Sequence, residues 1–364
     1  MKNPFHFTEV ATAPSFCNRE KECQDLTHYI GNAQNILLFS HRRYGKTSLI
    51  HKVLGGLKEV QPFYVDLYGT TSVEEFIAIT IRALTCEMPT VEKALGWLRK
   101  SFTRLTFQFS ADPMTGLPSV TPTLSGSDEE AALQELFSTL ESLSRKKNLV
   151  VVFDEFQETS AYNAPYFEKR IRKEIQNHQR ISYLFSGSQR HMLSAMFTDT
   201  KRALYKLAVS YPLPPIETSH YVAWASALFR HGKRAISEEI LDDVVQRCEN
   251  HPMYVQEFYY HLWEEGVPES GVEGLERAIL ERRAIEFINL FSSMTPNQKR
   301  AMKLLARCGG KGLFSAKNLQ SVGFSSTSQA TRALEALRVR DDVVKNGTWA
   351  VADPLFKKWV LKLA

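Results

Sequence analysis

A buried strand that runs into a basic, glycine-containing loop and restarts as a helix constrains this chain more than any other feature. Residues Asn35–Phe39 are a short apolar run, which fits a strand covered on both faces, as in a parallel sheet. The chain continues through Ser40, His41, Arg42, Arg43, Tyr44, Gly45, Lys46, Thr47 and Ser48 into a helix with apolar residues at Leu49, Ile50 and Val53. A loop in this context binds phosphate. Backbone N–H groups at the helix start converge on the β-phosphate, where the helix dipole also favours negative charge. Lys46 is expected to neutralise the β- and γ-phosphates, and the Thr47 hydroxyl to ligate Mg2+. Ser40 stands where the GxxxxGK(S/T) pattern has its first glycine, the residue that relieves crowding at the turn. The expected ligand is ATP with magnesium.

The most apolar strand, Leu149–Phe153, delivers two carboxylates, Asp154 and Glu155, at its C-terminal end. Ligands of open parallel sheets bind at that edge. Asp154 is expected to hold the magnesium ion, and Glu155 to orient and deprotonate the attacking water. Adjacent Asp and Glu favour the additional-strand class of P-loop ATPases over nucleotide kinases. The next strand, Ile181–Phe185, is followed by Ser186, Gly187, Ser188, Gln189 and Arg190. A polar residue there can lie between the carboxylate strand and the phosphate loop, so Ser186 or Ser188 is expected to sense the γ-phosphate, with Arg190 behind them.

Around these motifs, strands alternate with helices, which indicates an α/β domain. A helix should run toward Ile30, a strand over Phe63–Leu67, and helices over Ser72–Cys86, Asp128–Ser144 and Ala164–Gln179. Leu105–Phe109 and Ser119–Thr123 flank turn residues and read as a β-hairpin insertion. At 364 residues the chain is too long for one typical core. Its expected division is a nucleotide core over 1–214 (hairpin insertion about 104–124), a helical lid over 215–292 and a C-terminal unit over 293–364.

Composition narrows the classes. Hydrophobic residues at 43% and charged residues at 23% are ordinary for a soluble globular protein. No apolar run reaches the ~20 residues that cross a bilayer, and the N-terminus has no apolar signal core; no membrane association and a cytoplasmic location are expected. Five scattered cysteines form no CxxC pair, which argues against a zinc site or disulfide framework. The net charge of +5 permits nucleic-acid contact without arguing for it.

The last 70 or so residues pattern as a winged helix. Thr295 caps a helix with Pro296 just inside, a short helix follows at Ser315–Ser321, and a third spans Ser325–Arg338. Ala330, Ala333, Leu334 and Leu337 should face inward, and Asn346-Gly347 should turn a hairpin over Val343–Val351. Thr327, Gln329 and Arg332 on the third helix could enter a major groove, and Arg338, Arg340 and Lys345 could reach phosphates of duplex DNA. Against this, Asp341 and Asp342 beside the wing would repel the DNA backbone.

With these residues in place, the chain resembles the prokaryotic AAA-type ATPases often called archaeal ATPases, near the signal-transducing (STAND) and origin-recognition ATPases. Phe16–Glu20 resembles the family's F-x-G-R-E opening, with Asn18 for its glycine, which implies that Arg19 lies near the adenine. Arg42–Leu49 resembles RRxGKTSL, Phe153–Gln157 the carboxylate strand, and Phe185–Ser188 the polar sensor strand. Asn250–Gln256 resembles GHPxxxQ, which implies a lid helix over the nucleotide begun by Pro252, with His251 touching phosphates. Asp353–Trp359 resembles the DPLFxxW ending. The resemblance implies an AAA-type core with a mostly parallel sheet, a helical lid and a winged helix. It also implies a homo-oligomer or protein partner, and an arginine supplied in trans, for which Arg170, Arg172 and Arg180 are candidates. Two roles stay open for such a switch: action on DNA through the winged helix, or control of a protein effector with no DNA contact.

Overall fold

The computed structural model describes residues 2–86, 91–103, 105–111, 118–124 and 128–363. They divide into two compact units, one of Glu20–Ser40 and Leu49–Leu213, the other of Met1–Arg19, His41–Ser48 and Pro214–Ala364. The expected hairpin turn over 112–116 lies outside the described residues. Among the described residues no helix is long and apolar enough to cross a membrane.

The first unit is built in the order α1 (Glu20–Gly31), β1 (Ile36–Phe39), α2 (Lys46–Gly56), β2 (Val60–Asp66), α3 (Val73–Thr85), α4 (Val91–Ser101), the antiparallel pair β3 (Leu105–Ala111) and β4 (Pro118–Leu124), α5 (Glu129–Ser144), β5 (Asn148–Asp154), α6 (Phe167–Ile175), β6 (Ile181–Gly187), α7 (Arg190–Thr198) and β7 (Val209–Pro212). The first three residues of α2 group with the other unit. Five strands form one parallel sheet in the order β2-β5-β6-β1-β7. All their C-terminal ends therefore share one edge. Every residue of β6 is buried, as are all of β5 but its first. Such strands cannot alternate polar and apolar residues, because helices cover both faces. Phe153 of β5 sits in register with Phe185 of β6, their rings stacked at 6.1 Å.

Local chemistry sets the helix starts. Ser72 accepts from the Glu75 N–H to cap α3, and Asp128 accepts from the Ala131 N–H to cap α5. Three elements differ from the sequence expectation. The helix after Glu155 is shorter than Ala164–Gln179: a 3-10 segment over Phe156–Ala161 precedes α6, which starts only beyond Pro165. Proline disfavours helical geometry in the residue before it, so Ala164 stays outside. α4 and the edge strand β7 were not anticipated; β7 is only four residues, mostly exposed, and carries no apolar run.

The second unit is helical: α8 (Thr218–His231), α9 (Glu238–Arg247), α10 (Pro252–Glu265), α11 (Gly271–Arg282) and α12 (Ala284–Ser292), then α13 (Pro296–Cys308), α14 (Ala316–Ser321), α15 (Thr327–Val339), the hairpin β8 (Val343–Asn346) and β9 (Thr348–Val351), and α16 (Pro354–Lys362). Three helices and a hairpin from α13 to β9 make the winged helix. Thr295 and Gln298 form a reciprocal capping box at α13, and Ser326 caps α15. Ala330, Ala333, Leu334 and Leu337 are buried, as their spacing requires. Residues 1–19, grouped with the core by sequence, belong to this helical unit by contact. Phe5 is fully buried there, within 5.2–5.4 Å of the rings of Trp224, Phe229 and Tyr259.

Candidate functional site

The C-terminal edge of the sheet gathers the polar groups of the first unit. β5 ends at Asp154, which is 4% exposed. Its Oδ2 accepts from the Tyr64 hydroxyl at 2.6 Å and its Oδ1 from the Glu155 N–H at 3.1 Å. Burial, reinforced by the Asp154 charge, pushes the Tyr64 phenol well above its usual range, so it stays a neutral donor. Glu155 follows with φ 52° and ψ 39°, a left-handed conformation uncommon outside glycine and asparagine. Turning the chain there aims the Glu155 carboxylate across to the end of β6, where the Ser188 N–H and hydroxyl reach its Oε2 at 3.0 and 2.9 Å. Gln157 Nε2 donates to the same oxygen at 2.5 Å.

β6 lies between β5 and β1, as the adjacent Asp and Glu implied. It carries Ser186, fully buried, whose hydroxyl has no hydrogen-bond partner among the described residues. An unpaired buried hydroxyl is costly unless something else satisfies it, and such groups cluster at functional positions. Phe39, the last residue of β1, pairs with Gly187, and buried Ser40 follows at once. The Arg190 guanidinium lies over the Phe39 ring, 5.8 Å from its centre. Gly187 has a steric reason: a Cβ there would come within 1.9 Å of Gln157 Oε1, displacing the side chain that holds Glu155.

The phosphate loop carries its own geometry. Gly45 has φ +82°, open only to glycine at low cost, immediately before α2. Lys46 is 6% exposed, its ammonium 3.5 Å from the His41 carbonyl. Ser48 serves the N-terminal segment, accepting from the Ala11 N–H at 2.9 Å. Arg42 and Arg43 are exposed, and Arg43 also has a left-handed backbone at φ 62°. Tyr44 meets the ring of His251 edge-on at 5.1 Å. His251 precedes α10 with Pro252 in the first turn, is 5% exposed, and has no partner for Nδ1 among the described residues. Burial, helped by the Arg43 and His41 charges, holds its imidazole down to about 3, so it is neutral near pH 7.

Each unit, taken by itself, holds a donor of the hard-oxygen kind that magnesium takes: the Thr47 hydroxyl in one and the Asp154 carboxylate in the other. Arg19 is buried and donates to the Pro214 carbonyl at 2.7 Å. The candidate trans arginines are committed within their own unit. Arg170 meets Glu130 and Glu174, each at 3.4 Å. Arg172 donates to the Ala203 and Tyr205 carbonyls at 2.7 Å, and Arg180 binds Asn148 and the Arg145 carbonyl at the opposite edge of the sheet from Asp154. On the winged helix, Thr327 and Arg332 are exposed, while Gln329 folds back to accept from Ser325. Arg338 and Lys345 both face Glu335, at 2.7 and 4.0 Å. Sequence reasoning missed Tyr64, whose partner Asp154 lies 90 residues away, and gave no role to Gln157, although its motif and its contact with Glu155 are local.

Comparison with solved structures places this architecture. A Walker-type ATPase of Pyrococcus abyssi superposes with a TM-score of 0.72 at 18% identity, covering 98% of this chain and 99% of that one. This chain has the Walker-type ATPase fold. The ORC2 protein of Aeropyrum pernix, solved in ADPNP-ADP complexes, shares the fold with a TM-score of 0.57 at 14% identity, over 98% of this chain and 96% of that one. No protein-family model matches the sequence, and no curated protein does. In the Walker-type fold of this chain, the strand before the phosphate loop is β1 and the carboxylate strand is β5.

Proposed function

We propose that the protein is an ATPase switch: it binds ATP with Mg2+ and hydrolyses it to ADP and phosphate, and its two states differ in what they engage. One observation carries this reading. β6 inserts between the strand that leads into the phosphate loop and the strand that ends in Asp154 and Glu155, and it buries the unpartnered Ser186 hydroxyl there. A strand in this position can present a polar group to the γ-phosphate of a nucleotide held by the loop, and the unpartnered Ser186 hydroxyl supports that use. The ADPNP-ADP complexes of the ORC2 protein of similar fold support the choice of nucleotide.

Each residue then has a task. The backbone of the loop from Ser40 through Arg42, Arg43, Tyr44 and Gly45 cradles the phosphates, with Lys46 supplying charge. Thr47 and Asp154 hold magnesium, which neutralises phosphate charge when bound. Glu155, fixed by Ser188 and Gln157, orients the attacking water and takes its proton. Ser186 contacts the γ-phosphate, and His251 and Pro252 set the lid helix against the nucleotide. An arginine from a neighbouring subunit would accelerate turnover by ~10³–10⁵-fold. Arg170, Arg172 or Arg180 can serve only by giving up present contacts, so slow basal turnover follows.

For the output, we favour duplex DNA at the winged helix, through Thr327, Gln329, Arg332, Arg338 and Lys345. A second reading, a protein effector with no DNA contact, has its own observation: Glu335 already neutralises Arg338 and Lys345. The test is the ATPase rate of the purified full chain with and without duplex DNA, with Glu155→Gln as the blank. Phosphate release that the blank lacks supports the ATPase, and salt-sensitive stimulation by DNA supports the first output. Equal release by both proteins would remove the ATPase reading; a genuine rate indifferent to DNA would leave it standing and favour a protein effector.

A further inference from the structure

One arginine of the phosphate loop reaches a carboxylate of the helical unit. Arg43 Nη1 lies 3.1 Å from Glu286 Oε1 on α12. The other oxygen of Glu286 accepts from Arg283 Nη1 at 2.7 Å. Arg283 in turn grips Glu257 of α10, with Nε at 2.9 Å and Nη2 at 2.8 Å from Oε2. Its guanidinium also covers the Tyr254 ring at 5.1 Å. Tyr254 donates to Asp353 Oδ2 at 2.5 Å, and Asp353 caps α16 by accepting from the Phe356 N–H at 2.8 Å. A continuous series of polar contacts thus joins the phosphate loop to the last helix.

The series has a soft end and a stiff end. Arg43 and Glu286 are 51% and 46% exposed, so water screens their attraction. Arg283 and Glu257 are 12% and 6% exposed, and breaking a pair that dry is costly. A phosphate carries more charge than a carboxylate and takes an arginine through paired, charge-assisted bonds. In competition for Arg43 the phosphate wins, and the soft contact is the one that yields. Burial raises the Asp342 carboxyl beside the wing, opposed chiefly by Arg340, which donates to it at 2.7 Å, and to a lesser degree by the Arg42 charge.

We propose that Glu286 is a built-in competitor for Arg43, which nucleotide phosphate displaces, so that occupancy of the loop is passed through Arg283 and Tyr254 to α16. The inference rests on the nucleotide-binding reading above. It assigns Glu286 as a positioning residue and explains how a ligand at the loop reaches α16, the helix that follows the winged-helix hairpin. Because the coupling is a linkage, whatever loosens the Arg43–Glu286 contact must also tighten nucleotide binding.

The test is titration of the full chain with a fluorescent ADP and with Mg-ATP, for wild type, Glu286→Gln, Arg43→Ala and the double variant. Glu286→Gln is nearly isosteric and half exposed, so it should fold. The expected result is about three- to fivefold tighter binding in Glu286→Gln, weaker binding in Arg43→Ala, and no gain from Glu286→Gln once Arg43 is gone. In wild type, ADP should also speed amide hydrogen exchange in α16, an effect that Arg43→Ala should blunt. Unchanged affinity in Glu286→Gln, or a gain that survives in the double variant, would overturn the inference while wild-type binding keeps the nucleotide reading intact. Failure of wild type to bind either nucleotide would remove both.

Discussion

Ser188 donates twice to one oxygen of Glu155, through its backbone N–H at 3.0 Å and its hydroxyl at 2.9 Å. With Gln157 on the same atom, Oε2 is fully subscribed and the carboxylate cannot swing. That geometry makes Ser188 a positioning residue for the proposed base. Glu155→Gln should lower kcat by ~10²–10⁴-fold, the usual worth of a general base. Ser188→Ala removes one of three donors and should lower kcat by up to about tenfold with KM little changed. Steady-state phosphate release over a range of ATP concentrations measures both. A Ser188→Ala variant that changes KM alone would show that Ser188 binds substrate instead.

Tyr64 holds the other carboxylate. Its hydroxyl lies 2.6 Å from Asp154 Oδ2, and the His51 ring lies 4.8 Å from the tyrosine ring. Partners that orient a metal-binding carboxylate typically alter metal affinity by ~10–100-fold when removed. Tyr64→Phe keeps the ring packing and loses only the bond. It should raise the magnesium concentration that half-saturates ATPase activity, at fixed ATP, by about tenfold, with the saturated rate close to wild type. An unaltered magnesium requirement would return Tyr64 to a purely structural role.

What could be read beforehand follows from the range of the interactions. β5 announces itself because a strand covered on both faces must be apolar throughout, and Asp154 and Glu155 mark where it leaves the core. Ser72, Asp128, Thr295 and Asp353 act on N–H groups three residues away, so their caps are written locally. By contrast, Tyr64 meets Asp154 across 90 residues of chain, and Arg43 meets Glu286 across 243. No spacing rule reaches that far. β7 was hidden for another reason: its exposed residues gain their order from pairing with β1, which its own four-residue composition does not foretell.

His251 gives the protein an acid limit. Burial, with the Arg43 and His41 charges behind it, holds the imidazole down to about 3 from 6.5. The unfolded chain therefore binds a proton below pH 6.5 that the folded chain refuses. Stability is complete above that pH and falls as the pH drops toward 3. The loss attributable to His251 should be roughly 2 kcal/mol between pH 7 and pH 5. His251→Asn, whatever it costs at pH 7, should show a flatter decline of the urea midpoint over the same range. Parallel declines in wild type and variant would mean that other groups set the acid limit.

Glu335 is the most direct handle on the winged helix. It sits 2.7 Å from Arg338 and 4.0 Å from Lys345, on the two cations that the DNA reading assigns to phosphates. A phosphate approaching them meets a like charge first. Glu335→Gln frees both cations without altering shape, and should tighten binding to duplex DNA by about fivefold at low salt. The dependence on salt should also steepen, because two more cations can displace counterions from the duplex. Arg332 is exposed on the same helix, and Arg332→Ala should weaken binding in either background. Fluorescence anisotropy with a labelled duplex at several salt concentrations reads all of these. If neither substitution moves the affinity, α15 does not face DNA, and the exposed surface of the winged helix is left to a protein effector.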